Sequence, residues 1–477
     1  MKYDKFKLYW YLCISAFFLI LIITLLYSFG YKYDIFTGKS TRTGAIVLQM
    51  TPKDAAVTKD GEIVEKSGLL NGLLTDFVKI EDLEAKTYNI KVTKNGYNEW
   101  WKNVEINAGQ VNKFENIVLL KQNYTSQRKF ESVEFSDISK VWISKEKNKI
   151  AYYGIVDNQE GLFVIDLESE KVNWILDKQR IALMGIIKKI RWTEDGNKII
   201  VETVSSEKEK TSMYVVDLSD QKAYSINDEV SQVLSQSPDG ELCISDKYLA
   251  FAQNNSINLF NYENKEIIKI IDGVDNFFLE QNNIYFFKPS STASLSTLFY
   301  INLDNVSREV KIADMPADYD KTAGFMIKRE SGNIIVLSNN SLYFIDKDAK
   351  TKKINSNIKE ASFFQNGKRI IYFNDNEIWI YYTEDKFTQP IKSKGDNELL
   401  TRFSGNISNI CLYLDNEHIL FQENNTFKFT ELDSRNNRNT YNILENANNM
   451  GIFYLRGKNY IYYIRENKIF RINLEEE

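Results

Sequence analysis

From about Ile138 onward the chain repeats one pattern: strand, polar or glycine-containing turn, strand, short loop, aromatic-rich strand. It is clearest at Ile190–Leu218, IRWTEDGNKIIVETVSSEKEKTSMYVVDL. The aromatic-apolar strand recurs at Leu162 (LFVIDL), Met213 (MYVVDL), Ile257 (INLFNY), Leu298 (LFYINL), Leu342 (LYFIDK), Ile378 (IWIYYT), Phe427 (FKFTEL) and Ile469 (IFRINL). Successive starts lie 36 to 51 residues apart and average about 44, the period of a four-stranded propeller blade. A unit of that size cannot bury its apolar faces alone, so it must stack on copies of itself. Reading the aromatic strand as the outer strand of each unit, the pattern predicts a β-propeller over residues 128–477, with eight blades, or seven if one unit is misread.

Two details bear on closure. Asn254-Asn255, Asn339-Asn340, Asp375-Asn376 and Asn424-Asn425 all fall between the second and third strands of their units. Asn tolerates the positive φ that a two-residue hairpin turn needs. The eighth unit has only three strands, GIFYLRG, NYIYYIR and KIFRINL. A bare edge there would leave unpaired N–H and C=O groups. The segment from Arg128, and within it Phe130–Phe135, is therefore expected to pair with Ile469–Leu474 and clasp the ring.

Ahead of the repeats, Leu8–Phe29 is a 22-residue run without a charged side chain, long enough to cross a hydrocarbon core as a helix. Tyr9, Trp10 and Tyr11 at one end, with Tyr27 and Phe29 at the other, form aromatic belts. A cleaved signal peptide would have a shorter apolar core and an A-x-A-like site; Ser28-Phe29-Gly30 fits that poorly. Residues 1–30 are read as a cytoplasmic tip and transmembrane anchor, followed by a juxtamembrane linker over 31–43. Lys2, Lys5 and Lys7 before the span nearly balance Lys32, Lys39 and Arg42 after it, so the positive-inside count leaves the orientation open.

Residues 44–120 carry six or seven short alternating strands. GAIVLQMTP ends at Thr51-Pro52, AAVTKDGEIV breaks at Asp60-Gly61, TYNIKVTKNGYNEWWKNVEI turns at Asn95-Gly96, and KFENIVLL closes the set. They predict a small antiparallel β-sandwich, joined to the ring by 121–127. Adjacent strand residues face opposite ways. Of Trp100 and Trp101, one therefore belongs in the core and the other on the surface, where it shields the sheet edge or stacks on a partner. Pro52, Ala55 or Ala56, Val57, Gly61, Leu83, Tyr88, Gly96, Tyr97 and Leu119 resemble the pattern of a PEGA domain, with Glu84-Ala85-Lys86 standing where that family has a Pro-Gly turn. That resemblance implies a bacterial surface-associated module beside a membrane anchor, and with it the N-terminus inside and the folded domains outside. WTEDG and SPDG in the repeats are similar to the WD-like repeats of TolB-type propellers, which implies fold more than activity.

The search for chemistry returns little. His418, in LDNEHILF, is the one histidine; it is read as a partly exposed residue at a strand end rather than a triad base. Cys13, Cys243 and Cys411 include no CxxC pair, and Cys243 and Cys411 fall in different repeats, so no disulfide is expected between them. Asp346-Lys347-Asp348 starts like a calcium loop but continues Ala349-Lys350, without the required Gly and distal Glu. Glu207–Lys210 (EKEK) reads as a solvated loop. A net charge of −5 argues against a nucleic-acid binder. No catalytic, cofactor or metal residue is singled out. The expectation is a non-enzymatic, membrane-anchored extracytoplasmic binding or scaffold protein of the bacterial envelope. Leu8–Phe29 would hold the membrane, and the propeller would hold an envelope protein, a peptide or a wall glycan. The alternatives are a propeller hydrolase working through a carboxylate pair, or a structural surface-layer component.

Overall fold

The computed structural model describes residues 2–28, 31–33, 40–64, 77–144, 147–193, 196–205, 211–226, 230–231, 243–244, 248–253, 256–274, 276–280, 282–289, 296–303, 305–320, 324–445 and 452–475. Glu207–Lys210, Asn254-Asn255 and the SPDG turn lie outside them. Beyond the first helix the chain is nearly all strand.

Lys2–Ser28 is one α-helix, α1. Its described side chains from Tyr9 to Leu25 are almost all exposed. Among the described residues no helix is long and apolar enough to cross a membrane.

Residues 44–118 form two facing sheets. One has Gly44–Thr51 between Phe77–Leu83 and Val111–Val118; the other runs in the order Glu62–Ile63, Ala56–Lys59, Thr87–Thr93, Trp100–Glu105. Their shared core includes Ile46, Leu48, Ile90, Val92, Trp100 and Phe114. The sandwich is not wholly antiparallel as expected: Gly44–Thr51 and Val111–Val118 pair in parallel. They are the unit's first and last strands, and parallel neighbours need a long crossover, which the intervening strands supply.

Among the described residues eight four-stranded antiparallel sheets follow, spanning 141–177, 186–225, 243–272, 277–314, 325–356, 360–402, 407–444 and 452–473, the last completed by Gln127–Lys129. All eight aromatic-apolar strands of the sequence are the third strand of their sheet. They are not the outermost, because a fourth covers each. The reason lies in packing. A strand sandwiched between two sheets is apolar on both faces, as these are, whereas the outer fourth strand is half polar. On Ser341–Ile345, the third strand of the fifth sheet, Tyr343 and Ile345 pack back against the fourth sheet and Leu342 and Phe344 pack forward against the sixth, as strand alternation requires. Eight apolar clusters join each sheet to the next in this way, and the last joins the eighth to the first. This is the architecture of a β-propeller.

The clasp exists, displaced from its expected position. Gln127, Arg128 and Lys129 pair with Arg471, Phe470 and Ile469. At Phe130 φ becomes +53° and the chain leaves the sheet edge. Val133 and Phe135 turn inward, fully buried, between the eighth sheet and the first, where Val133 makes a lone antiparallel bridge to Val156 and Phe135 N donates to Asn467 O. The Asn turns adopt the required conformation at Asn339 and Asn340, with φ +45° and +56°, and at Asn424, with φ +50°. A short helix, Lys178–Met184 (α2), lies between the first and second sheets, capped by Asp177, whose Oδ1 accepts from Arg180 N. Cys411 is a free thiol.

Candidate functional site

The seventh sheet carries a dense polar network on the face where first-to-second and third-to-fourth strand turns emerge. Its third-to-fourth loop, Asp433–Asn439, lies along Trp100–Glu105, the edge strand of the small sandwich. Three Asn side chains stand in for a neighbouring strand. Asn439 Oδ1 accepts from Trp101 N (3.3 Å) and its Nδ2 donates to Trp101 O (3.2 Å). Asn437 Nδ2 also donates to Trp101 O, and Asn436 Oδ1 accepts from Asn103 N. An edge that would otherwise pair at random is thereby covered.

Along that strand burial alternates: Trp100 is 1% exposed and Trp101 38%, one in and one out as expected. The same parity buries Lys102 completely, which the sequence reading missed. A lysine two residues from a core Trp and two from the buried Val104 was the available signal. Its Nζ meets Glu431 Oε1 at 2.9 Å and donates to the carbonyls of Asp433, Arg435 and Asn437 at 3.2, 3.0 and 2.6 Å. Glu431 Oε2 accepts from Trp100 Nε1 at 3.0 Å, and its Oε1 accepts from Asn439 N and Nδ2. A buried ammonium is tolerable only when paired and fully hydrogen-bonded, and this one is both. Arg435 stacks on Phe114, 3.8 Å from the ring centre. Burial pushes the Asp433 carboxyl up, but the bonds and charge of Arg435, with Lys102 nearby, outweigh it and hold it below the usual carboxylate range.

The first-to-second turn of the same sheet, Asp415–His418, is a structural hub. His418 is 2% exposed, not partly exposed as its strand-end position suggested. Its Nδ1 meets Asp415 Oδ2 at 2.6 Å, and its ring lies flat on Phe429 with Tyr413 edge-on. Burial raises the Asp415 carboxyl; the His418 bond and charge, with the N–H groups of Glu417 and His418, bring it below its ordinary value. Next to it Glu417 binds Arg369 (2.7 Å) and Lys386 (3.0 Å). Desolvation lowers the Lys386 ammonium pKa against the pull of Glu417. His418 thus anchors a turn through Asp415 and Phe429.

Asn416, at the tip of this turn, faces a cavity of about 610 Å³ with Glu330, Phe363, Phe364, Gln365, Asn366, Lys368, Leu412 and Arg456. These residues come from the fifth to eighth sheets, at or beside their first-to-second turns, so the cavity lies at the mouth of the ring. The turns are tied together. Gln365 Nε2 and Arg369 Nη1 donate to Asn416 O, and Arg456 donates to Leu414 O and Asn416 Oδ1. Lys368 pairs with Glu384. The lining offers amides, two cations, two half-exposed Phe rings and a single carboxylate, Glu330. Asp346-Lys347-Asp348 lies elsewhere, as a turn in which Asp346 Oδ1 accepts from Asp348 N and Lys350 N. Among the described residues no cluster of His, Cys, Asp or Glu could hold a metal ion.

No known protein family matches the chain, and no curated protein does. Among solved structures it is similar to a eukaryotic initiation factor, at 13% identity and a TM-score of 0.45, over 73% of this chain and 87% of that one. It is also similar to dipeptidyl peptidase 4 of Porphyromonas gingivalis, at 11% identity and 0.41, over 70% of this chain and 56% of that one. PorZ, a surface component of the type-IX secretion system of the same organism, is similar at 9% identity and 0.34, over 71% and 42%. Likenesses this slight leave the architecture to be read from the sheets themselves.

Proposed function

We propose that this chain is a membrane-anchored, extracytoplasmic binding or scaffold protein of the bacterial cell envelope. In this reading Leu8–Phe29 is its single membrane span, the sandwich over 44–120 is a PEGA-like module, and the eight sheets are the blades of a closed platform. The observation that carries the binding role is the mouth cavity. Amides from Gln365, Asn366 and Asn416 match the donors and acceptors of a peptide backbone or a sugar. Phe363, Phe364 and Leu412 add apolar contacts to a mainly polar lining. Glu330 alone does not make the carboxylate pair that glycoside hydrolysis requires. The turn beneath the cavity is held by buried ion pairs, so the site is preorganised, and binding loses little to ordering it. The ligand classes that fit are a peptide segment of an envelope protein and a wall glycan.

The test is capture by the full-length protein, solubilised in detergent from its own membranes, followed by mass spectrometry. Phe364→Ser with Asn366→Lys should abolish capture of whatever the native protein retains; thermal unfolding checks that the ring stays folded, since Phe364 also packs against the core between the sixth and seventh sheets. An unaltered set of captured molecules would remove the cavity from the mechanism.

A further inference from the structure

The loop Thr383–Asp396, between the third and fourth strands of the sixth sheet, holds two large apolar side chains out in solvent. Phe387 is 85% exposed and Ile391 68%. Exposure on a slack loop would mean little, but this loop is stapled. Lys386 N donates to Lys392 O (2.8 Å) and Lys392 N to Lys386 O (3.1 Å). Lys394 N donates to Asp385 Oδ1 at 2.7 Å, and Gly395 N to Tyr382 O at 2.8 Å. At the tip Gln389 bridges to the small sandwich. Its Oε1 accepts from Lys113 N (2.7 Å) and from Arg435 Nη1 (3.0 Å), and its Nε2 donates to Val111 O (2.9 Å). The fold thus fixes Phe387 and Ile391 pointing into water beside Val111, itself 42% exposed.

The position of this tip indicates what covers it. Val111 pairs with Ala45 at the start of the sandwich. Three residues earlier Arg42 pairs with Tyr31 and lies over its ring, and α1 ends at Ser28. The apolar tip is therefore close to the root of the N-terminal helix, within the reach of a few extended residues. Exposed Arg42, Lys113 and Lys394 border it, the two lysines paired with Glu115 and Asp346. Exposed apolar side chains with lysine and arginine at their margin, next to a membrane-spanning helix, are placed to settle into the headgroup layer of an anionic bilayer.

We propose that Phe387 and Ile391, with Val111, dip into the interfacial layer of the anionic bilayer that holds the Leu8–Phe29 segment. This contact sets the ring at a fixed orientation to the membrane. The proposal rests on the anchored reading above. Aromatic and aliphatic tips insert to the acyl boundary, while lysine and arginine stay at the phosphates.

The experiment uses the full chain reconstituted in phosphatidylcholine–phosphatidylglycerol vesicles, with and without brominated acyl chains. Phe387→Trp adds one indole at a solvent-exposed position, read as the difference spectrum against the native protein with its seven tryptophans. Brominated lipid should remove roughly half or more of that added emission, as for a side chain at the acyl boundary. Phe387→Asp with Ile391→Asp should leave the helix inserted and make the 383–396 loop newly open to protease. If the added indole is unquenched while the protein resists alkaline extraction, the helix is anchored and the tip proposal is overturned. A blue-shifted but unquenched indole means that protein covers the tip, a second copy or a partner, and overturns it equally. If alkaline extraction releases the protein, the anchored reading falls, and this proposal with it.

Discussion

Two seams hold this chain together, and they are built from opposite materials. The ring closes where Gln127–Lys129 joins the eighth sheet, and Val133 and Phe135 fill the gap to the first. The small sandwich docks on the seventh sheet through a buried lysine, a glutamate, a tryptophan N–H and a row of asparagines. The first seam is backbone pairing plus apolar burial, which is non-directional and tolerates small displacements. The second is a satisfied polar network, which specifies one geometry and loses most of its value if any member is missing. The first suits a ring whose sheets share one period; the second suits two different domains that must meet in one orientation.

That contrast can be broken experimentally, beginning with the closing seam. Deleting Gln127–Phe135 removes three strand pairs and two fully buried side chains. It should cost more than about 5 kcal/mol, since truncating a buried Phe alone costs about 3–5. The loss should appear in calorimetry of the whole chain as collapse of the main ring transition; an unchanged transition would mean that closure does not couple the first sheet to the last. At the docking seam, Lys102→Met leaves Glu431 buried without its cation and three carbonyls without a donor. Breaking such a pair from one side costs about 3–5 kcal/mol. The loss should appear as release of the sandwich, with new proteolytic cutting in 121–127, and not as unfolding of the ring. Trp100→Phe keeps an aromatic ring against Phe114, removes the bond to Glu431 and shrinks a fully buried side chain, so the sandwich should loosen by at least about 1.5–3 kcal/mol, the worth of a hydrogen bond to a charged group, with a smaller addition for the void.

The smallest effect is acid sensitivity. The Asp433 carboxyl is held below its ordinary value of 3.8. Its contribution is complete above that pH and is lost as pH falls through the lower folded-state value. Release of the sandwich should therefore steepen below about pH 4, and Asp433→Asn should remove that part of the pH dependence. An identical profile for the variant would show that Asp433 is not part of the seam's charge balance.

The ring was legible because its information is local and repeated. Eight aromatic strands at one period gave the sheets, and the Asn pairs gave the hairpin turns. The missing strand in the last unit gave the clasp, though not its register. The turn at Phe130 depends on where Val133 and Phe135 find space between two sheets, and those sheets are remote in sequence from one another. His418 was misjudged for a similar reason. A strand end reads as exposed, yet the neighbouring strand lays Phe429 over its ring and the turn supplies Asp415. The mouth cavity was not legible at all, because its lining is drawn one or a few residues at a time from four sheets.

What the sequence determined by itself is everything carried by periodicity: strand alternation, blade period, turn positions and the apolar N-terminal run. These depend on residues a few positions apart, whose relation the backbone fixes. What only the tertiary structure decided is which polar groups meet. Lys102 and Glu431 are separated by more than three hundred residues, and nothing in either local pattern names the other. A buried charge is selected by the whole fold, because the partners that make it tolerable are assembled only when the domains close on each other.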